Sequence, residues 1–244
     1  MEWMIETYSS PEAFLDLMDE ACIDYAVILA EYAQITTGIA ENEYVAEFCS
    51  RSERLIPFAS INPYTCVRPA DELVDLVHNY GFRGLKLYPT YQYFYPNDAM
   101  IYPLYAKAQE LGIPISLHIG SSVFAGARLK YGDPIYLDDV AVDFPDLVLL
   151  QCHSGRPFWY QKAFSLARLH RNLYMEVSGL PPKKLLEYFP ELERISHKVV
   201  YGSDWPGVPG IRENIQTIKS LPISEEAKLR ILGENAARLL KIPE

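Results

Sequence analysis

Short β-branched runs alternate with longer amphipathic stretches along this chain, and that alternation constrains the fold more than any other feature. The runs read as strands at residues 25–30, 56–62, 82–88, 114–119, 147–153, 173–178 and 198–203. The first helix opens at Ser9-Ser10-Pro11, a hydroxyl cap followed by proline at the first helical position, and runs to about residue 22. Further helices are expected over 42–54 and 69–80, up to Gly112, and in two closing stretches near 211–220 and 224–241. Strands separated by helices pair in parallel through helical crossovers, which makes this an α/β chain. Seven parallel strands suit either an open doubly wound sheet or a barrel, but the open sheet's GxGxxG turn is absent after the first strand. The 244 residues lie just under the roughly 250 of a single TIM-type (β/α)8 barrel, and no linker, repeat or low-complexity tract divides them. Residues 1–244 are therefore read as one barrel domain.

Parity along a strand shows which polar residues share a side. Ser116 and His118 share one face, while Ile115, Leu117 and Ile119 take the other. The same rule puts Gln151 with His153, Gly84 and Tyr88 with Lys86, Glu176 with Ser178, Ser60 with Asn62, and Gly202 with Asp204. Strand after strand thus turns an ionisable side chain to one side at or near its carboxyl end, where a barrel builds its active site. Imidazole and carboxylate are donors that zinc and similar ions prefer, so His118, His153 and Asp204 on one rim point to a metal. Each residue also has an ordinary structural explanation. His153 could be a hydrogen-bonded core residue, and Asp204 a turn cap. Lys86 could lay its stem on apolar neighbours with its ammonium in water, and Glu176 could pair with Lys86 or an arginine. His78, His170 and His197 fall in helical or connecting segments and read as structural or exposed.

Charge and cysteine usage narrow the partners. The formal net charge is −10 with no Lys/Arg run, which argues against nucleic acid. Cys22, Cys49, Cys66 and Cys152 are widely spaced with no CxxC pair, the pattern of reduced thiols. No apolar run has the length of a membrane span and no signal peptide is evident, so the expected location is cytoplasmic, with no membrane partner.

Five segments together resemble the amidohydrolase-related family of metal-dependent TIM-barrel hydrolases and decarboxylases. They are Gly81-Phe82-Arg83-Gly84-Leu85-Lys86-Leu87, Ile115-Ser116-Leu117-His118, Gln151-Cys152-His153-Ser154-Gly155, Tyr201-Gly202-Ser203-Asp204-Trp205-Pro206, and Ile231-Leu232-Gly233-Glu234-Asn235-Ala236-Ala237-Arg238-Leu239-Leu240. The resemblance implies one divalent metal ion, usually zinc, at the barrel mouth. His118 would ligate it; Asp204 would bind the ion or its water and act as general base; His153 would hydrogen-bond the substrate or the developing oxyanion. The implied reaction is attack of activated water on a C–N or C–O bond of a small carboxylated or cyclic substrate. Non-oxidative decarboxylation is the alternative within the family, and a metal-free binding barrel the alternative outside catalysis. Arg156, Arg128 and Lys130 follow the strand-end histidines and are candidates to hold a substrate carboxylate, or are solvated loop charges. Lys86 and Tyr88 are further substrate-binding candidates. The run Tyr88-Pro89-Thr90-Tyr91-Gln92-Tyr93-Phe94-Tyr95 walls a pocket, forms a subunit interface or packs beneath its loop.

The sequence departs from the family at its start. The family's first strand ends in His-x-His, and no such pair occurs here, so the seven strands correspond to the second through eighth. With the first strand missing or replaced, two edges face a gap, and strands that pair about 4.8 Å apart cannot close it unaided. Three readings follow: a natural chain that extends upstream, residues 1–8 acting as a short substitute strand, or a metal-free relative. The intact downstream motifs favour the first. Open edges and the Tyr-rich loop also point toward a homo-oligomer.

Overall fold

Every one of the seven expected runs is a strand in the computed structural model, which describes residues 7–242. In chain order they are β1 (Ala26–Leu29), β4 (Leu55–Ser60), β5 (Gly84–Leu87), β6 (Ile115–Gly120), β7 (Leu149–Arg156), β8 (Leu173–Glu176) and β9 (Val199–Val200). A small antiparallel hairpin, β2 (Glu31–Ala33) and β3 (Gly38–Ala40), follows β1 and was not expected. Gly38 holds a positive φ of 108° after Thr36 and Thr37, a conformation open to glycine.

The seven strands pair in parallel in the order β1-β4-β5-β6-β7-β8-β9. Each lies beside its predecessor, and the order never reverses as it would at the switch point of a doubly wound sheet. This is how a barrel is wound, and the sheet curls accordingly into most of a (β/α)8 barrel. Helix ends follow local chemistry. The Ser10 hydroxyl accepts from the Ala13 N–H at 3.2 Å to start Pro11–Glu20, and Gly81, at φ 75°, ends Pro69–Tyr80. The stretch expected as one last helix is three helical segments, Glu225–Leu229, Arg230–Glu234 and Asn235–Leu239, the middle one π-helical. Buried Asn235 anchors it by donating to the carbonyls of Ser196 (2.7 Å) and Val199 (2.8 Å).

Register sorts the barrel interior into rows. Ser60, Lys86, Ser116, Leu150 and Tyr174 lie side by side, and above them His118, Cys152, Glu176 and Val200. Leu85, Leu87, Leu117 and Leu149 point outward and are fully buried against the helices, each worth about 1.5–3 kcal/mol. Apolar side chains floor the interior: Leu240 and Ile242 pack on Ile56 and Phe58, while Ala236 and Leu239 pack on Leu150, Tyr174 and Val200. The polar groups are thereby confined to the carboxyl-end mouth.

Among the described residues no strand joins β9 to β1. Val27 and Leu29 on β1 stay 39% and 38% exposed. Side chains cross the seam instead: Phe14 meets Trp205 at 5.4 Å between ring centres, and Leu17, Ala21 and Ile23 pack with Tyr201, Ile211 and Ile215. The substitute strand expected at residues 1–8 lies outside the described residues except for its last two, and Tyr8 is in a turn. No helix among the described residues is long and apolar enough to cross a membrane.

Candidate active site

β7 carries the most informative irregularity. His118 pairs with Cys152 but Gly120 pairs with Arg156, so three residues of β7 oppose one of β6. His153, Ser154 and Gly155 take φ of 68°, 46° and 75°, which makes a bulge that re-aims its side chains. Gln151, in regular register with Leu117 before the bulge, faces outward, its amide donating to the Ala163 carbonyl at 3.1 Å. Cys152 takes the interior position, and the bulge swings His153 back beside it. The expected sharing of a face by Gln151 and His153 is therefore corrected.

His153 Nδ1 lies 3.0 Å from the Ser178 carbonyl oxygen and 3.1 Å from the Ser178 hydroxyl. A carbonyl only accepts, so Nδ1 carries the proton and Nε2 keeps its lone pair, 3.5 Å from Cys152 Sγ. Burial, then the nearby Arg156 charge, lowers the His153 pKa to about 4. Burial and the neighbouring His153 hold His118 well below the usual histidine range. The two rings are 4.5 Å apart between centres, both neutral near pH 7, the state in which imidazole ligates metals.

Glu176 pairs with neither Lys86 nor an arginine. Its Oε1 accepts the Ser178 N–H at 2.9 Å and its Oε2 bonds the Ser178 hydroxyl at 2.7 Å. Burial, reinforced by Cys152, pushes its carboxyl up to about 8. A Cβ at Gly202 would lie 2.1 Å from Glu176 Oε1, so glycine there makes the room.

Lys86 does not snorkel. It is 2% exposed, its ammonium 3.3 Å from Ser116 Oγ and 5.3 Å from the centre of the Tyr88 ring. Among the described residues its ammonium has no carboxylate partner. At the rim, Arg156 Nη1 donates to the Gly179 carbonyl at 3.0 Å and approaches Asp204 Oδ2 at 3.3 Å. Asp204 is held at φ 57° just past β9.

The aromatic run forms one wall. Tyr88 and Tyr91, at the start of and within the short helix Pro89–Gln92, are buried and stacked 5.7 Å apart, and Tyr91 leans on His118 at 4.7 Å. Tyr88 donates to the Ala30 carbonyl at 3.1 Å, and Tyr91 to Ser122 Oγ at 2.8 Å. Tyr93 and Tyr95 turn toward Tyr131 instead. Arg128 stays exposed, stacked 4.9 Å over Tyr93, and Lys130 sits 4.6 Å from the Tyr131 ring, so the interior group includes neither. A cleft of about 360 Å³ lined by Thr90, Ser121, Ser122, Ala127, Leu129, Pro157 and Phe158 adjoins this wall.

Two residues of the interior group are not assigned to a site from sequence. Cys152 reads there only as a reduced thiol within its strand segment. Glu31, on β2, has its carboxyl raised by burial and feels the Lys86 charge; its place right after the first strand's apolar run was the available signal. Three donor atoms, from Cys152, His153 and Glu176, lie within 4.8 Å of one another.

The fold is that of a (β/α)8-type barrel, and comparison with known proteins agrees. The amidohydrolase family model matches residues 4–242, and the chain belongs to the amidohydrolase family. An uncharacterised TIM-barrel protein of Bordetella bronchiseptica is 26% identical, with a TM-score of 0.82 over 94% of this chain and 82% of its own. A probable 2-pyrone-4,6-dicarboxylic acid hydrolase of Acinetobacter baumannii is 18% identical, with a TM-score of 0.71 over 96% and 89%. A manganese-bound 5-carboxyvanillate decarboxylase of Novosphingobium aromaticivorans is 15% identical, with a TM-score of 0.74 over 94% and 80%. No curated protein matches the chain.

Proposed function

We propose that this chain is a metal-dependent hydrolase acting on a C–N or C–O bond of a small carboxylated substrate at the mouth formed by β5 to β9. Lys86 is the observation that carries the reading. A buried cation is costly unless an anion meets it, and a substrate carboxylate would supply that anion. Arg156 offers a second cation at the rim, in the planar fork that suits carboxylates. Tyr88 frames the Lys86 ammonium, and Arg128 is left a role only at the outer rim.

His118 and Asp204 fit a divalent ion by their chemistry, a buried neutral imidazole and a rim carboxylate, and these two would hold it; zinc and manganese are the ions to try. When bound, the ion would supply a Lewis acid and a water acidified toward about pKa 7. Asp204 has one carboxylate oxygen free of Arg156 to take a proton. His153 can accept a hydrogen bond through Nε2 but not donate one in this tautomer. It therefore orients a substrate O–H or N–H, and developing negative charge falls to Lys86 and Arg156. The stacked Tyr88–Tyr91 wall excludes water from the interior.

Non-oxidative decarboxylation is the second reading. The stacked tyrosines suit an aromatic carboxylate, and the Novosphingobium relative bears the name of such an enzyme. The test is turnover of a panel of carboxylated lactones, amides and hydroxybenzoates with zinc or manganese added. His118→Ala and Asp204→Asn should each abolish it while leaving the protein folded, and carbon dioxide release separates the two reactions. If wild type turns over nothing across panel and metals, the non-catalytic barrel takes the lead.

A further inference from the structure

We propose that Cys152, His153 and Glu176 form a site for a thiophilic divalent ion such as zinc or cadmium, separate from the His118–Asp204 pair. All three residues are buried, and their donor atoms lie within 4.8 Å of one another. Ligands at about 2.3 Å (sulfur) and about 2.1 Å (nitrogen) around a tetrahedral ion stand about 3.6 Å apart. The Sγ–Nε2 separation is 3.5 Å, already at that spacing. The carboxylate, within 4.8 Å of both, completes the set by closing in by at most about 1.5 Å.

The surroundings are those of a supported ligand set. The Ser178 carbonyl takes the Nδ1 proton of His153, which fixes the ring and leaves Nε2 as the free donor atom. Ser178 also gives its N–H and hydroxyl to the two oxygens of Glu176, orienting the carboxylate while leaving lone pairs on both. Gly202 leaves that carboxylate its space. The Lys86 ammonium is bonded to Ser116 rather than to the cluster. One thiolate and one carboxylate balance the charge of a divalent ion, so the assembly is neutral in a buried place. The thiolate selects soft ions over magnesium or manganese. An ion here would occupy the Nε2 through which His153 meets the substrate and would inhibit; that consequence alone rests on the proposed reaction.

The test titrates the full chain with cadmium, following the near-ultraviolet thiolate-to-cadmium band and the metal retained after desalting. With exposed Cys22 and half-exposed Cys66 replaced by serine throughout, the protein should take up about one cadmium with a band; adding Cys152→Ser should remove the band, and adding Glu176→Gln should weaken binding at least about tenfold. His118→Ala should leave both intact, and circular dichroism checks that every variant is folded. No band while Cys152 is present, or a band that survives Cys152→Ser, overturns the proposal. A band that depends on Cys152 in a protein without turnover keeps this site and removes the hydrolase reading; turnover without the band does the reverse.

Discussion

Replacing Lys86 by methionine should make the protein more stable and less active. Lys86 is 2% exposed, and its polar partners are one hydroxyl at 3.3 Å and one ring at 5.3 Å. A hydrogen bond to a charged group is worth about 1.5–3 kcal/mol and the ring contact about 1–2 kcal/mol. Desolvating the ammonium costs several kcal/mol; Glu176, raised to about 8, is protonated near pH 7, and Glu31 feels the Lys86 charge without forming an ion pair with it, so neither offsets that cost in full. Methionine keeps most of the side-chain volume and carries no charge, so the net gain should be about 1–3 kcal/mol. For a chain of this size each kcal/mol moves the melting temperature by about 2–4 °C, which predicts a rise of roughly 2–12 °C. Scanning calorimetry at pH 7, with Ser116→Ala as a control for the lost hydroxyl contact, measures it. A Lys86→Met protein that melts at or below wild type would refute the argument, because the ammonium would then be satisfied without substrate.

Two further outcomes follow from the same geometry. Native Glu176 keeps a proton that the unfolded chain releases above about 4.5, so its contribution is full below that pH and is lost as pH rises to about 8. His153 works oppositely, its contribution present above about 6.5 and lost as pH falls toward about 4, so of these two only Glu176 acts between pH 6.5 and 8. Urea midpoints should fall across that window at up to about 1.4 kcal/mol per pH unit, and Glu176→Gln should flatten the slope; an unchanged slope would count against the assignment. At Gly179, φ 67°, an added Cβ would lie 1.7 Å from Arg156 Nη1 and 2.5 Å from Asp204 Oδ2. Gly179→Ala should cost about 1–3 kcal/mol and raise KM for a carboxylated substrate more than a neutral one; equal KM values would release Arg156 from that role.

Much of the architecture was legible because strand burial leaves a strong imprint. Short runs such as Leu55–Ser60 and Ile115–Gly120 are buried along their whole length and stand out from the helical stretches between them. Parity placed Lys86, Ser116, His118 and Glu176 correctly because β5, β6 and β8 are regular. It failed for the pairing of His153 with Gln151 because a bulge at His153 breaks the two-residue period, and positive φ at non-glycine residues leaves no mark in sequence. Glu176 and Ser178 share a face by parity, but their hydrogen bonds were not legible, because a turn contact between residues two apart leaves no charge pattern. For Lys86 the sequence left two positions open, interior or stem on apolar neighbours with the ammonium in water, because nothing local says that the aromatic wall closes over it. The hairpin β2–β3 is too short for a periodic signal.

The narrowness of β9 has a consequence for how the molecule comes apart. β6 and β7 share five register pairs at the centre of the sheet, whereas β9 holds to β8 through two, Met175↔Val199 and Glu176↔Val200, with no strand described on its far side. Lys86, His118 and Cys152 ride on the central strands; Asp204 hangs from the marginal one. Amide protons beyond β9 should therefore exchange with solvent through partial opening, while those of β6 and β7 wait for global unfolding. The site is thus dismantled in stages, its rim carboxylate drifting away while the interior imidazoles and ammonium are still assembled.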